Sequence, residues 1–260
     1  TPLPQPEECT PFHAMFAGQC GIDPYSNGTS DLYQDLFGVG SFTGKGLLNV
    51  KALYAVLDNR FADESILSHD LLEGSITRCA TVSDVVLVED HPHHSGVDAS
   101  RQHRWTRGDW QIIDWLFPKV PDALGRSVKN NLSLISRWKI FDNLRRTLVA
   151  PATLLWLILS WTCLPGSAFN WSVPIILLFT FPIYAPLFNG SFFRRHGVPW
   201  REQLRSIEVD TKLKLQQIIF MIVFIPSQVR NQMDAVIRAL YRKTISKRKL
   251  LEWMTFAQAE

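Results

Sequence analysis

The chain has 260 residues, of which 46% are hydrophobic, and its formal net charge at pH 7 is +3. This is enough apolar material for one large domain or two small ones. Nine tryptophans and sixteen phenylalanines favour carbohydrate contact or a membrane interface. The four scattered cysteines show neither the pattern of a disulfide framework nor the spacing of a zinc site, so a reducing compartment is expected.

The first candidate element is the glycine-rich stretch GVGSFTGKG, residues 38–46. It does not match a P-loop, because Val39 stands where the first glycine is required and Gly46 stands where Ser or Thr must follow the lysine. Two interpretations remain: a flexible loop whose glycines allow the backbone to approach a ligand, or a connecting turn.

Helices are predicted on both sides of residue 65. The segment NVKALYAVLDNRF (residues 49–61) has Asn49 as a plausible N-cap. In SHDLLEG (residues 68–74), Asp70 is a predicted N-cap and Glu73 completes a capping-box-like pair. Because a carboxylate at a helix N-terminus is stabilised by the helix dipole, Asp70 can be a cap and a general base at once.

The segment SDVVLVED (residues 83–90) is rich in β-branched residues and predicts a strand, so the N-terminal part is expected to be mixed α/β. It is followed by HPHH, which contains His91, His93 and His94. No carboxylate or cysteine stands at a metal-ligand spacing from these histidines, and we assign them no role.

A basic and aromatic helix is predicted over residues 98–117. It places Arg101, Arg104 and Trp105 on one face by their i+3 and i+4 spacing. Guanidinium groups suit phosphate oxygens, and an indole ring suits the C–H face of a sugar. The same pattern also fits a basic amphipathic helix that lies on lipid.

Residues 147–193 contain no Asp, Glu, Lys or Arg. A stretch of this length suits two membrane spans, residues 147–164 and 171–189, joined by a short turn. Basic residues flank it on both sides, so both ends are predicted to be cytoplasmic. The alternative is a buried helical hairpin of a soluble protein.

The segments around the hairpin are predicted to lie at the membrane surface. Residues 126–146 form the expected interfacial helix, and residues 194–260 contain basic amphipathic helices in which 213–229 is an alternative third span. The soluble part is therefore residues 1–125. The interfacial helix is predicted from apolar residues at helical spacing: Leu134, Trp138, Phe141 and Leu148.

Taken in order, the motifs resemble a known family. The stretches GIDPYSNGTSDLYQDLFGVGSFTGKG, ILSHDLLEGS, HRWTRGDWQ, SRWKIFDNLRR and LLEWMTFAQAE are similar to the glycosyltransferase region of cyclic β-1,2-glucan synthases, which are processive family 2-type membrane glycosyltransferases. The resemblance implies an α/β fold, the C-terminal, acceptor-side half of a GT-A-like glycosyltransferase domain. Interfacial and transmembrane α-helices would follow it.

The resemblance also implies an activity and its partners. The expected reaction is inverting transfer of glucose from UDP-glucose to the 2-hydroxyl of a growing β-1,2-glucan. The chain would be an internal piece of a multi-pass protein of the bacterial inner membrane, with its catalytic part cytoplasmic and the lipid bilayer as a partner. A magnesium or manganese ion (Mg2+ or Mn2+) would be held by a D-x-D motif upstream, since this chain contains no Asp-x-Asp triplet. No nucleic-acid partner is expected.

The resemblance implies a role for eight residues. Asp70 would deprotonate the acceptor hydroxyl, and Trp105 would stack on the acceptor glucose. The remaining six would line the acceptor cleft (Phe42, Thr43 and Gly44) or face the pyrophosphate (Arg101, Gln102 and Arg104). The chain departs from the family at Arg101, where glutamine is usual, and at Val39, where an acidic residue is usual. Another processive β-glycan synthase and a non-catalytic membrane scaffold are the alternative functions.

Overall fold

A computed structural model describes residues 9–17, 31–62, 64–67, 70–82, 85, 91–192 and 197–252. Within these ranges the protein is mostly helical. The helices are α1 (Pro11–Phe16), α2 (Leu32–Phe37), α3 (Val50–Leu57), α4 (Asp70–Thr77), α5 (Ser95–Gln111), α6 (Leu134–Thr147), α7 (Val149–Thr162), α8 (Ala168–Phe192), α9 (Trp200–Val223) and α10 (Ile225–Tyr241). A short antiparallel hairpin joins strands β1 (Lys119–Pro121) and β2 (Ser127–Lys129).

The chain forms two compact units. The first contains Thr1–His13, Ala17–Leu148 and Asn231–Glu260, and the second contains Ala14–Phe16 and Val149–Arg230.

Side-chain caps start the short helices of the first unit. Asn49 precedes α3 and its side chain accepts a hydrogen bond from the amide of Ala52, which confirms the predicted N-cap. Ser133 caps α6 in the same way. Asp70 was predicted to be the N-cap of α4. In the structure it is instead the first residue of the helix itself, one position further in than a cap.

Helix α6 packs at the centre of the first unit. Its residue Ile140 is completely buried, and it lies in one apolar cluster with Leu72 of α4 and with Ile112, at the end of α5. The opposite face of α6 is exposed and apolar, with Leu134, Trp138, Phe141 and Leu148 at the surface. The helix that was predicted to be interfacial therefore has one face in the protein core and one apolar face that is exposed.

Asn130 fixes the entry into α6. Its side-chain amide donates to the carbonyl oxygens of Trp115 (2.7 Å) and Phe117 (2.8 Å), and its side-chain oxygen accepts from the amide of Leu132 (2.9 Å). Asn130 is buried together with Trp115 and Leu132, so water cannot readily replace it at these two partners, whereas Phe117 is exposed.

The second unit contains the predicted helical hairpin, formed by α7 and α8. Two indoles connect its arms: Trp156 Nε1 donates to the carbonyl of Trp171, and Trp161 Nε1 donates to Ser172 Oγ, both at 3.0 Å.

The transmembrane spans predicted for this region are not confirmed. Over the described part of the chain, no helix combines the length and the apolar character needed to cross a bilayer. Helix α7 has 14 residues, about 21 Å at a rise of about 1.5 Å per residue. The hydrocarbon core of a bilayer is about 30 Å thick.

The predicted α/β, GT-A-like fold is not confirmed either. Almost all of the strand expected at residues 83–90 lies outside the described residues, and the β1–β2 hairpin is the sheet found within them. Residues 213–223 of the alternative third span belong to α9, a 24-residue helix that also contains charged side chains.

The role of Asn130 predicts a large effect on stability. We expect Asn130→Ala to lower the free energy of unfolding by about 2–4 kcal/mol, because the buried backbone groups of Trp115 and Leu132 lose their partner. Asn131→Ala is the matched control, since the neighbouring side chain is exposed. Urea denaturation of the two variants measures the difference, and equal midpoints would contradict this role.

Candidate functional site

The glycine loop and the first residue of α4 meet at one point. Gly44 has a φ of +93°, and a Cβ atom built there would lie 2.8 Å from Asp70 Oδ2. A side chain at position 44 would therefore collide with the carboxylate and strain the backbone as well. The loop backbone therefore approaches the Asp70 side chain closely, whereas its approach to a ligand stays a prediction.

A second close contact fixes Phe42 against the same helix. A Cβ atom at Gly74 of α4 would lie 2.5 Å from Phe42 Cβ and 2.8 Å from Cys79 Sγ. Thr43 lies exposed between Phe42 and Gly44. Three of the predicted site residues, Phe42, Gly44 and Asp70, are thus brought together, with Thr43 at the surface beside them.

Asp31 holds the beginning of this loop. Its carboxylate is 1% exposed, and Oδ1 accepts from the amides of Tyr33 (2.9 Å) and Gln34 (3.1 Å) at the start of α2. The other oxygen accepts from the amide of Ser41 (3.0 Å) and from Thr81 Oγ1 (3.1 Å). One buried carboxylate therefore joins the loop, helix α2 and the segment after α4.

Lys139 of α6 holds the same loop from the other side. Its ammonium donates to the carbonyl oxygens of Gly40 (2.9 Å) and Val39 (3.2 Å), and it lies 4.5 Å from the centroid of the Tyr33 ring. Neither Asp31 nor Lys139 was predicted as a site residue. Lys139 was instead counted among the basic residues of an amphipathic helix.

Arg101 and Trp105 form a pair on α5, as the i+4 spacing predicted. The guanidinium carbon of Arg101 lies 4.8 Å from the centroid of the Trp105 ring, and Arg101 Nη2 donates to Asp98 Oδ1 at 2.7 Å. Gln102 is exposed and Arg104 is half-buried. The helix starts at Ser95 and ends at Gln111, so the predicted range of 98–117 is shifted toward the C-terminus.

Gln111 connects the α5 helix to the segment that leads into Asp70. Its side-chain oxygen accepts from the amide of Leu67 at 2.7 Å, and its side-chain nitrogen donates to the carbonyl of Leu250 at 2.9 Å. Gln111 is buried. It holds the end of α5 against Leu67, three residues before Asp70 in the chain, and against Leu250.

Burial shifts the pKa values of two other groups on α5. It raises the pKa of Asp109 to about 6, against the opposing effects of a hydrogen bond from Asn143 and the charge of Arg146. It also lowers the pKa of His103, although a hydrogen bond to Asp234 acts in the opposite direction. Asp109 and His103 are therefore less hydrated than Gln102, which is exposed on the same helix.

The histidines that received no role lie near the start of α5. The ring of His13 is 4.4 Å from that of His93 and 6.1 Å from that of His91, measured between centroids. In the part of the chain that the structure describes, no three His, Cys, Asp or Glu side chains form a group that could hold a metal ion.

Chemically, the site offers a carboxylate beside an exposed glycine loop and a cation stacked on an indole. Such groups can accept a proton, and they can contact a phosphate or the apolar face of a sugar ring.

Comparison with known proteins identifies one related sequence. No protein-family model matches the chain. It is 42% identical over 255 residues to the cyclic beta-(1,2)-glucan synthase NdvB of Rhizobium meliloti (strain 1021). The match covers 97% of this chain and 9% of NdvB, so the chain spans less than a tenth of the length of that relative. The resemblance predicted from the five motifs is therefore confirmed: the chain is similar, over almost its whole length, to one segment of a cyclic β-1,2-glucan synthase.

Proposed function

We propose that this chain is part of a glycosyltransferase that transfers glucose from UDP-glucose, with inversion, to the 2-hydroxyl of a growing β-1,2-glucan. The similarity to NdvB supports a glucan synthase. The observation that carries the proposal is the contact of Gly44 with Asp70, which places a carboxylate beside an exposed loop. We propose further that this chain belongs to the acceptor-side half of a GT-A-like catalytic domain.

In the proposed reaction Asp70 is the general base. The 2-hydroxyl oxygen of the acceptor attacks the anomeric carbon of the donor glucose, and UDP leaves with the electrons of the broken bond. Asp70 takes the hydroxyl proton during this step. Asp70 lies in the first turn of α4. Because Gly44 has no side chain, the backbone of the glycine loop lies close to the Asp70 carboxylate.

The α5 helix supplies the proposed contacts to the pyrophosphate and the acceptor sugar. Arg101, Gln102 and Arg104 would donate hydrogen bonds to phosphate oxygens. Trp105, whose ring also contacts Arg101, would stack on the acceptor glucose. The cleft itself would be lined by Phe42, Thr43 and Gly44.

A magnesium or manganese ion remains an expectation for the complete enzyme. The described residues contain no cluster of His, Cys, Asp or Glu side chains that fits such an ion. We therefore derive no step of the reaction through a metal.

We also propose that the protein contacts the cytoplasmic surface of the bacterial inner membrane. The support is the exposed apolar face of α6, where Trp138 and Phe141 lie side by side with ring centroids 5.7 Å apart. Basic residues Arg145 and Arg146 stand in the last turn of the same helix, where they suit anionic lipid headgroups.

The role of Asp70 predicts a loss of the chemical step. In a synthase that contains this chain, Asp70→Asn should cut glucan synthesis by about 10²- to 10⁴-fold, the range typical of losing a general base, with UDP-glucose affinity nearly unchanged. Glu73→Gln, in the same helical turn, is the control and should stay near normal activity. Normal synthesis by folded Asp70→Asn would exclude Asp70 as the base.

The role of Trp105 predicts weaker use of the acceptor. Trp105→Ala should raise the KM for the glucan acceptor by about 2- to 12-fold, since stacking on an aromatic ring contributes about 0.5–1.5 kcal/mol beyond the buried area. The KM for UDP-glucose should change little, and Trp105→Phe should keep most of the acceptor affinity. A larger change in donor KM than in acceptor KM would contradict the stacking role.

The proposed membrane contact predicts a local change of polarity. In a chain with its four native cysteines replaced, an NBD dye on a cysteine at Phe141 should shift its emission to the blue when phosphatidylglycerol vesicles are added. The same dye at Lys129, which is exposed on β2, should not shift. Equal responses at the two positions would argue against α6 as the lipid-contacting surface.

A further inference from the structure

Lys139 is unusual for a lysine because it is only 6% exposed. Buried ammonium groups need compensating partners, since the loss of hydration is costly. Here the partners include two adjacent backbone carbonyls, those of Val39 and Gly40, and the face of the Tyr33 ring.

These two carbonyls belong to the start of the loop that reaches Asp70. Residues 39–49 form no helix or strand, so the loop has no regular hydrogen-bond ladder that would fix its course. The amide of Gly40 donates to the carbonyl of Cys79 at 2.9 Å, and the amide of Ser41 donates to Asp31. Lys139 is thus the contact that joins this loop to α6, a hundred residues later in the chain.

The geometry at Gly44 makes the position of the loop important. Gly44 is four residues from Gly40, and its backbone leaves no space for a Cβ atom beside Asp70. A shift of the loop would change the distance between Asp70 and the residues that line the proposed acceptor cleft. Misplacement by about 1 Å at a reacting centre can lower a rate by about 10²-fold.

We propose that Lys139 is a positioning residue for the acceptor-side loop: its ammonium group holds the backbone of residues 39 and 40 so that Phe42 and Gly44 stay against α4 and Asp70. This inference rests on the proposed function for its effect on catalysis. That Lys139 fixes the backbone of the loop does not depend on the proposed function, and it can be tested without measuring activity. Because Lys139 is on α6, the loop is anchored to the helix proposed to contact the membrane.

Limited trypsin digestion of this chain tests the hold on the loop. The sequence has an exposed cleavage site inside the loop, Lys45, and an exposed site in helix α3, Lys51, which serves as an internal reference. In Lys139→Met, which keeps the side-chain length and removes the charge, cleavage after Lys45 should rise by about 10- to 100-fold relative to cleavage after Lys51, since two charge-assisted hydrogen bonds are lost.

Two further variants complete this experiment. Lys139→Arg keeps a cation and N–H donors, and it should protect Lys45 better than Lys139→Met does. Lys129→Met removes an exposed lysine and should leave the cleavage ratio unchanged. An unchanged ratio in Lys139→Met would overturn the proposal, as would a folded Lys139→Arg that is cleaved after Lys45 as fast as the denatured chain. The second comparison remains decisive if Lys139→Met does not fold.

Activity in a complete synthase tests the consequence for the reaction. Lys139→Met should lower the turnover number with the glucan acceptor by about 10- to 100-fold, with the KM for UDP-glucose within about twofold of normal. A purely structural lysine would instead lower the amount of folded enzyme and leave the turnover number per folded molecule unchanged. If the loop loosens in Lys139→Met but Asp70→Asn stays active, the proposed function fails and the hold on the loop stands. If Asp70→Asn is inactive, but Lys139→Met has the wild-type cleavage ratio at Lys45 and the wild-type turnover number, the inference about Lys139 fails. The proposed function then stands.

Discussion

Two buried charges determine the course of the glycine loop. Asp31 accepts hydrogen bonds from the loop and from the elements on both sides of it, and Lys139 donates to the carbonyls that begin the loop. A loop outside regular structure must find partners for its buried backbone groups elsewhere, and here side chains provide them. Phe42, which packs on Gly74, and Gly44, which approaches Asp70, follow one and three residues after Ser41, the last residue of the loop that Asp31 holds.

Helix α6 connects this local constraint to the rest of the first unit. Its buried face contributes Ile140 and Leu144 to the apolar core and Lys139 to the loop. The other face is apolar and exposed, which is costly in water unless something covers it. One face of this amphipathic helix therefore holds the glycine loop, and the opposite face is the apolar surface for which we propose contact with lipid.

Local patterns in the sequence predicted the helices and part of the site, whereas contacts between distant segments could not be predicted. Asn49 caps α3, and Arg101 stacks on Trp105, because both features depend on residues within one helical turn. Lys139 and Gln111 were missed because their partners lie between 44 and 139 positions away in the chain. Asp31 caps α2 through the nearby amides of Tyr33 and Gln34, but its bonds to Ser41 and Thr81 join segments 10 and 50 positions away, and the sequence does not show these. The charge-free stretch predicted the hairpin of α7 and α8, but charge alone did not specify helix length, and α7 is too short to span.

The central claim is that Asp70 receives the proton of the acceptor hydroxyl within a cleft that the loop and the α5 helix line. The most direct measurement is an experimental structure of a complete synthase with a β-1,2-glucan oligosaccharide bound. The account predicts an acceptor hydroxyl within about 2.6–3.2 Å of the Asp70 carboxylate, with the sugar ring against Trp105. An oligosaccharide whose terminal hydroxyl is bonded to a different base, with the Asp70 carboxylate away from the sugar, would contradict it.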